Sequence, residues 1–312
     1  MTRRKARTRE EWITDAEQLA TKVIKLWQEG NETEARTLCQ EKINEIVAMG
    51  YATVSIIKTY QPFYKRALRE LSGINDYTQA PVCYFQALPE ERVKIDAKYS
   101  SKIQTNEGRI ELKASDLKTL YDDLRGVLES IPSTTKDWYR KGNALTFMTG
   151  RRAFSEICRY GEFTLSENPL KLTFYGQAKG GEEKFLSGYD IPYFGASKDL
   201  IIKTHSDFKE FLETKKWYSE ELTDRQFEGK LKTYWDAALT SITNSHKFLG
   251  RITPHDCRKI YAAYAYWEYV QAGGKLDETI YIGRCLGHTY QKAGYELVRQ
   301  DTAMVYKKYI II

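Results

Sequence analysis

The chain reads as a mainly α fold with a small β-sheet, an α+β architecture in two parts. Apolar residues recur at steps of three and four from Glu10 to roughly Ser72 and again through the C-terminal third, the period of a helix with one buried face. Between Glu162 and Tyr175 the pattern changes to period two around the turn residues Glu167-Asn168-Pro169, which marks a small hairpin or three-stranded sheet. Pro132, in the stretch SIPSTTKDW, breaks the helical pattern and divides the chain into residues 1–131 and 132–312.

Along the first part, Trp12, Ala16, Leu19, Val23 and Leu26 share one face, and Gly30 and Gly50 punctuate the helices. Residues from Pro81 to Gln104 follow no single period. A helix is expected from Ser115, or Ala114 before it, to Ile131. After Pro132 a helix spans about Thr134 to Tyr160, interrupted near Gly150, and strands follow at 162–165 and 170–175. The second strand leads into GQAKGGEE, a glycine-rich turn holding Lys179. Helices resume near Ser206 and are expected to continue to the C-terminus, with no internal repeat or low-complexity tract.

At 312 residues the chain has room for two domains at roughly 150 residues each. Lys plus Arg outnumber Asp plus Glu by 48 − 42 = 6, a basic excess that permits nucleic-acid binding without requiring it. Many of the 23 tyrosines stand beside Lys or Arg, as in Tyr64-Lys65-Arg66 and Tyr139-Arg140-Lys141, a mixture that suits a phosphate-contacting surface. The five cysteines are dispersed, odd in number and without a C-x-x-C pair, so neither a disulfide framework nor a zinc site is expected. The first residues, MTRRKARTREEW, have no apolar run behind them, and no stretch of about 18 apolar residues occurs. A reduced cytoplasmic protein is the expectation.

Four islands carry chemistry. In RITPHDCRKIYA, Thr253 is a helix cap, Pro254 takes the first helical position and Asp256 faces the positive end of the dipole. His255 and Arg258 then share the first turn, a place that suits a phosphate. The others are TGRRAFSEI with Arg151 and Arg152, the hairpin Lys179, and Leu286-Gly287-His288. Each alone fits an ordinary solvated helix face, surface lysine or glycine turn.

Taken in order, Arg, hairpin Lys, His-x-x-Arg, Gly-His and a late tyrosine resemble the catalytic set of the tyrosine recombinases of phage-integrase type, over about Ala144 to Tyr309. The doubled arginine of TGRR, the GQAK before the turn, RKIYA after His255 and DTAMVYKKY at the end resemble the telomere resolvases, or protelomerases, within that superfamily. The resemblance implies a tyrosine-recombinase-like catalytic domain preceded by a helical domain that grips DNA. It assigns Arg152, Lys179, His255, Arg258 and His288 to the site. The position where integrase spacing would place the nucleophile holds Leu297, and the acidic residue following the first arginine comes one place late, at Glu156. Tyr290, Tyr295, Tyr306 and Tyr309 are the candidate nucleophiles. Tyr306 is chosen because DTAMVY resembles the family's lead-in, with TYQKAGYELVRQ as an inserted loop.

The implied chemistry is cleavage and rejoining of double-stranded DNA at an inverted repeat through a 3′-phosphotyrosine, by a homodimer, giving closed hairpin ends. Arg152 and Arg258 would clamp the phosphate, His288 would donate a hydrogen bond, Lys179 would serve as general acid and His255 would assist proton transfer. No cofactor, metal, nucleotide or membrane is called for, and the source would be bacterial or phage-encoded and nucleoid-associated. A histidine rather than a lysine at residue 255 leans towards an ordinary recombinase. Integrase-type exchange, a type IB topoisomerase and a non-cleaving DNA-binding descendant are the alternatives. Only six residues follow Tyr306, which implies no further C-terminal DNA-binding domain.

Overall fold

The computed structural model describes residues 7–76, 78–94, 109–177, 187–292 and 295–312, divided between a first unit, Met1–Thr105, and a second, Asn106–Ile312. In the first unit, α1 (Arg9–Gln28) starts at a capping box, in which Thr8 accepts from the Glu11 N–H and the Glu11 carboxylate accepts from the Thr8 N–H. It packs with α2 (Glu32–Ala48) and α3 (Gln61–Ser72), burying Trp12, Leu19, Val23, Ile43, Ile46 and Leu68, the face that the three-and-four spacing selects. The Trp12 ring stacks on Tyr60 at 4.4 Å and Tyr64 on Phe85 at 4.3 Å. Asp15 accepts from the Tyr64 hydroxyl and pairs with Arg7 and Lys42, each at 3.1 Å.

In the second unit a short strand, β1 (Ile110–Leu112), precedes α4 (Ala114–Glu129) and α5 (Thr135–Thr149). The division between the units thus falls ahead of Pro132. Leu117, Leu120, Leu124 and Leu128 of α4 are buried in the same core as α5, so the proline marks a turn between two packed helices. From Lys141 to Thr149 every residue of α5 is buried, as befits a helix surrounded by others. Truncating Leu145, fully buried there, would cost about 2–5 kcal/mol.

Beyond α5 a π-helical turn, Ala153–Tyr160, leads to an antiparallel sheet of order β2 (Glu162–Leu165), β3 (Lys171–Tyr175), β4 (Tyr189–Pro192). Phe163 opposes Phe174 and Leu172 opposes Ile191, and all are buried, which is why the run alternated. Lys179 lies outside the described residues. The helix after the sheet, α6 (Lys198–Glu213), begins earlier than the expected Ser206, because Ser197 caps it by accepting from the Leu200 N–H. Then come α7 (Asp224–Ser245), α8 (Pro254–Gln271) and α9 (Glu278–Cys285).

The chain does not stay helical to its end. Thr289–Lys292 and Tyr295–Val298 form an antiparallel hairpin, β5–β6, where a loop was expected. After α10 (Gln300–Met304), β7 (Tyr309–Ile311) pairs in parallel with β1, Ile110 against Tyr309. That partner lies almost the whole unit away in sequence, and no local period encodes it. Among the described residues no helix is long and apolar enough to cross a membrane.

Candidate active site

The Thr-Pro-x-Asp start builds the cap the sequence called for at α8. Thr253 Oγ1 accepts from the Asp256 N–H at 3.3 Å, and the Asp256 carboxylate accepts from the Thr253 N–H at 3.0 Å. His255 and Arg258 stand on this first turn, and with Arg152 and Ser155 they line a cleft of about 470 Å³ bounded opposite by Phe227 and Lys232 of α7.

The two arginines of TGRR differ in role. Arg151 is fully buried and donates to the Cys285 and Thr149 carbonyls at 2.7 and 3.1 Å and to the Tyr189 hydroxyl, with its guanidinium over Phe174. It fastens α5's end to the sheet and to the end of α9. Arg152 turns the other way and lines the cleft. The turn between helix and arginines is set by Gly150, at φ +66°, where an added Cβ would lie 2.1 Å from the Tyr261 ring of α8.

Glu156 joins the two cleft arginines. One carboxylate oxygen pairs with the Arg152 guanidinium, and the other accepts from the Arg258 guanidinium at 3.0 Å and the Arg152 N–H at 2.8 Å. Burial alone would raise this carboxyl, but Arg258, Arg152 and Arg151 outweigh it and hold it down at about 2. Its lateness in sequence has a backbone counterpart. The Ile157 N–H donates to the Arg152 carbonyl at 2.9 Å, an i→i+5 bond that widens the turn by one residue.

Arg258 also donates to the Leu286 carbonyl at 3.0 Å, which ties α8 to the Gly-His turn. Gly287, at φ +69°, could not carry a Cβ without meeting Gln177 and Tyr189, and its carbonyl accepts from Gln177 Nε2 at 2.8 Å. Gln177 stands two residues before Lys179. The next residue, His288, points inward, 5% exposed, and neither of its ring nitrogens nor Arg258 Nε has a hydrogen-bond partner among the described residues.

Tyr306, 4% exposed, completes the cluster. Its ring centroid lies 5.1 Å from that of His255 and 5.2 Å from that of His288, and the Arg258 guanidinium carbon lies 5.4 Å from it. Tyr309 instead packs in the large core as part of β7, and burial raises its hydroxyl's pKa. The side chains of Tyr290 and Tyr295 lie outside what the structure describes.

Both histidines are neutral near pH 7. Burial first, then Lys259 and Arg258, lowers His255 to about 4; burial, then Arg258 and Arg152, lowers His288 to about 2. Two permanent cations and a neutral imidazole on one cleft, with a second imidazole and a phenol packed beside them, can grip an anionic ester, stabilise added charge on its oxygens and bring a hydroxyl nucleophile to it. Arg152, His255, Arg258, His288 and Tyr306 therefore come together. The sequence reading left out Arg151's buttressing, Glu156 as the bridge and Gln177. Glu156 was visible as an acid four residues after Arg152, whereas Arg151 and Gln177 stood inside the TGRR and GQAK stretches with no role given to them.

Residues 111–309 match the model of the telomere resolvase ResT/TelK catalytic domain family. Among solved structures, the chain is similar to a protelomerase TelK complexed with substrate DNA, at 18% identity and a TM-score of 0.53, over 96% of this chain. That likeness is one of fold, and the chain covers 59% of the length of that protein. No curated protein matches the chain.

Proposed function

We propose a reaction for this chain on the premise that it belongs to the telomere resolvase ResT/TelK catalytic domain family: it cuts and rejoins duplex DNA at an inverted repeat, leaving covalently closed hairpin ends. The observation that carries the reading is the packing of the Tyr306 ring against His255, His288 and Arg258, beside the cleft Arg152 lines.

In this reading the Tyr306 oxygen attacks the scissile phosphorus, the bond to the 5′-oxygen breaks, and a 3′-phosphotyrosine forms. The phenol proton passes to His255, which burial leaves neutral at pH 7 and whose basicity the bound anionic phosphate raises. Arg152 and Arg258 spread the charge of the transition state, and His288 donates to the same phosphate. Lys179, assigned by the resemblance, protonates the leaving oxygen. The 5′-hydroxyl of the opposite strand then attacks the phosphotyrosine. Because the covalent intermediate keeps the phosphodiester's energy, rejoining needs no nucleotide.

Two protomers on one repeat, acting in the cytoplasm on bacterial or phage DNA, would make both ends. The first unit is proposed to grip the duplex, so affinity should fall steeply with salt as counterions are released. The solved protelomerase is described as complexed with substrate DNA, which supports DNA as the partner. The test is incubation with an inverted-repeat duplex without metal or nucleotide, followed by a denaturing gel. Each product should run as one continuous strand that snaps back on cooling. Strand exchange between separate duplexes, or relaxation of supercoils alone, would move the protein to the integrase or topoisomerase type.

A further inference from the structure

Two consecutive lysines follow Tyr306, and each reaches a different helix. Lys307 Nζ lies 3.2 Å from Glu278 Oε2, at the start of α9, the helix that leads into His288. Lys308 Nζ lies 2.8 Å from Asp256 Oδ1, the residue between His255 and Cys257 on α8. Glu278 is gripped a second time, by Arg109 at 2.7 Å, and Arg109 immediately precedes β1. There the Ile110 N–H donates to the Lys308 carbonyl at 2.9 Å.

We infer that Lys307 and Lys308 form a split latch that seats Tyr306, with Glu278 and Asp256 as its positioning carboxylates. The inference rests on Tyr306 being the nucleophile. One arm fixes the segment to the helix that delivers His288, the other to the helix that presents His255 and Arg258, and the Tyr306 ring packs against both histidines, at 5.1 and 5.2 Å. The Lys307, Glu278 and Asp256 side chains are only 16%, 17% and 8% exposed and Lys308 is 36% exposed, so the Lys307–Glu278 arm is the less screened of the two, while Asp256 also pairs with Lys259 at 3.3 Å. A lysine reaching for DNA phosphate has no need of a half-buried acid partner. A lysine that sets a neighbour's position does.

The experiment pairs Glu278→Gln with Lys307→Met and their double variant, at saturating suicide substrate nicked near the scissile phosphate. The latch predicts about tenfold or greater slowing of covalent adduct formation in each single variant, since small misplacements of a nucleophile are costly, with the double no worse than the poorer single. DNA affinity and its salt dependence should stay at parental values. Lys307→Arg should restore the rate, and Lys308→Met with Lys308→Arg repeats the test on the other arm. If Lys307 instead holds phosphate, Glu278→Gln leaves the rate intact and Lys307→Met weakens binding, which overturns the latch. Limited trypsin digestion without DNA gives a readout independent of catalysis: cleavage after Lys307 and Lys308 should accelerate several-fold in Glu278→Gln, and an unchanged digestion rate also overturns it. Should the parent protein form no adduct while Glu278→Gln still speeds digestion, the proposed reaction fails and takes the latch's catalytic role with it, and only the seating of the Tyr306 segment stands.

Discussion

Each unit holds a carboxylate that gathers cations near a tyrosine, and the two clusters differ in what they leave unfinished. Around Asp15, Arg7, Lys42 and the Tyr64 hydroxyl each donate to its carboxylate, and Arg7 and Lys42 share Glu45 as a second acceptor. Around Glu156 the carboxylate is fully buried, and next to it lie buried nitrogens of Arg258 and His288 without partners among the described residues. A closed network of this kind stabilises a helical bundle. An open one, with cations held in place and donors to spare, stabilises something that arrives.

The sharpest way to break this contrast is at the two tyrosines. Tyr306→Phe should abolish the covalent adduct on a suicide substrate while leaving DNA binding intact. Tyr64→Phe should leave adduct formation unchanged and lower stability by about 1.5–3 kcal/mol, the worth of a hydrogen bond to a charged group. Persistence of the adduct in Tyr306→Phe, and its loss in Tyr295→Phe or Tyr309→Phe, would transfer the role.

Next come the arginines. Arg258→Ala should slow adduct formation by about 10²–10³-fold, the usual effect of removing one donor to a developing oxyanion. Arg7→Ala should not change it, as single-turnover kinetics at saturating DNA would show. Glu156→Gln should destabilise the second unit by about 3–5 kcal/mol, because it leaves two guanidinium groups around an uncharged partner in the interior. The corresponding Asp15→Asn should cost less, since Asp15 retains 22% of its side-chain exposure and water can reach its partners. Chemical denaturation of the two variants measures the difference.

A further contrast is in pH. All 4 histidines lie in the second unit. Burial lowers His205 to about 3, and His255 and His288 stand at about 4 and about 2, against 6.5 unperturbed. A histidine with a depressed folded pKa binds its proton more readily when unfolded. Its contribution is therefore complete above pH 6.5 and is lost as pH falls towards the folded value. Asp15 is lowered from 3.8, so the first unit's loss belongs below that pH. Hydrogen exchange followed between pH 6.5 and 5 should show the second unit weakening and the first unit flat; equal slopes would dissolve the distinction.

How much of this was legible follows the range of the interactions. The helices of the first unit and the cap at Thr253 were readable because their signals, a three-and-four stripe and a Thr-Pro-x-Asp start, are local. The sheet was readable because Phe163, Leu172 and Phe174 alternate. The convergence of Arg152, His255, Arg258, His288 and Tyr306 was legible only through the order of motifs in a resembled family, since no local rule brings residues so far apart in the chain into one cluster. Arg151's burial, the β5–β6 hairpin and the β1–β7 pair were not legible. They depend on partners distant in sequence, and only the resemblance, not any local signal, told Arg152 from Arg151 ahead of the left-handed turn at Gly150.

The parallel pairing of β7 with β1 also orders events in time. A segment whose docking site is the opening strand of its own unit cannot dock until everything between has been made and folded, and contacts of such long sequence separation are slow to close. Tyr306 stands just ahead of that closure. On the proposed reaction, a second unit with its arginines and histidines already placed but β7 undocked would hold DNA without cutting it, so the clamp would form before the nucleophile is seated.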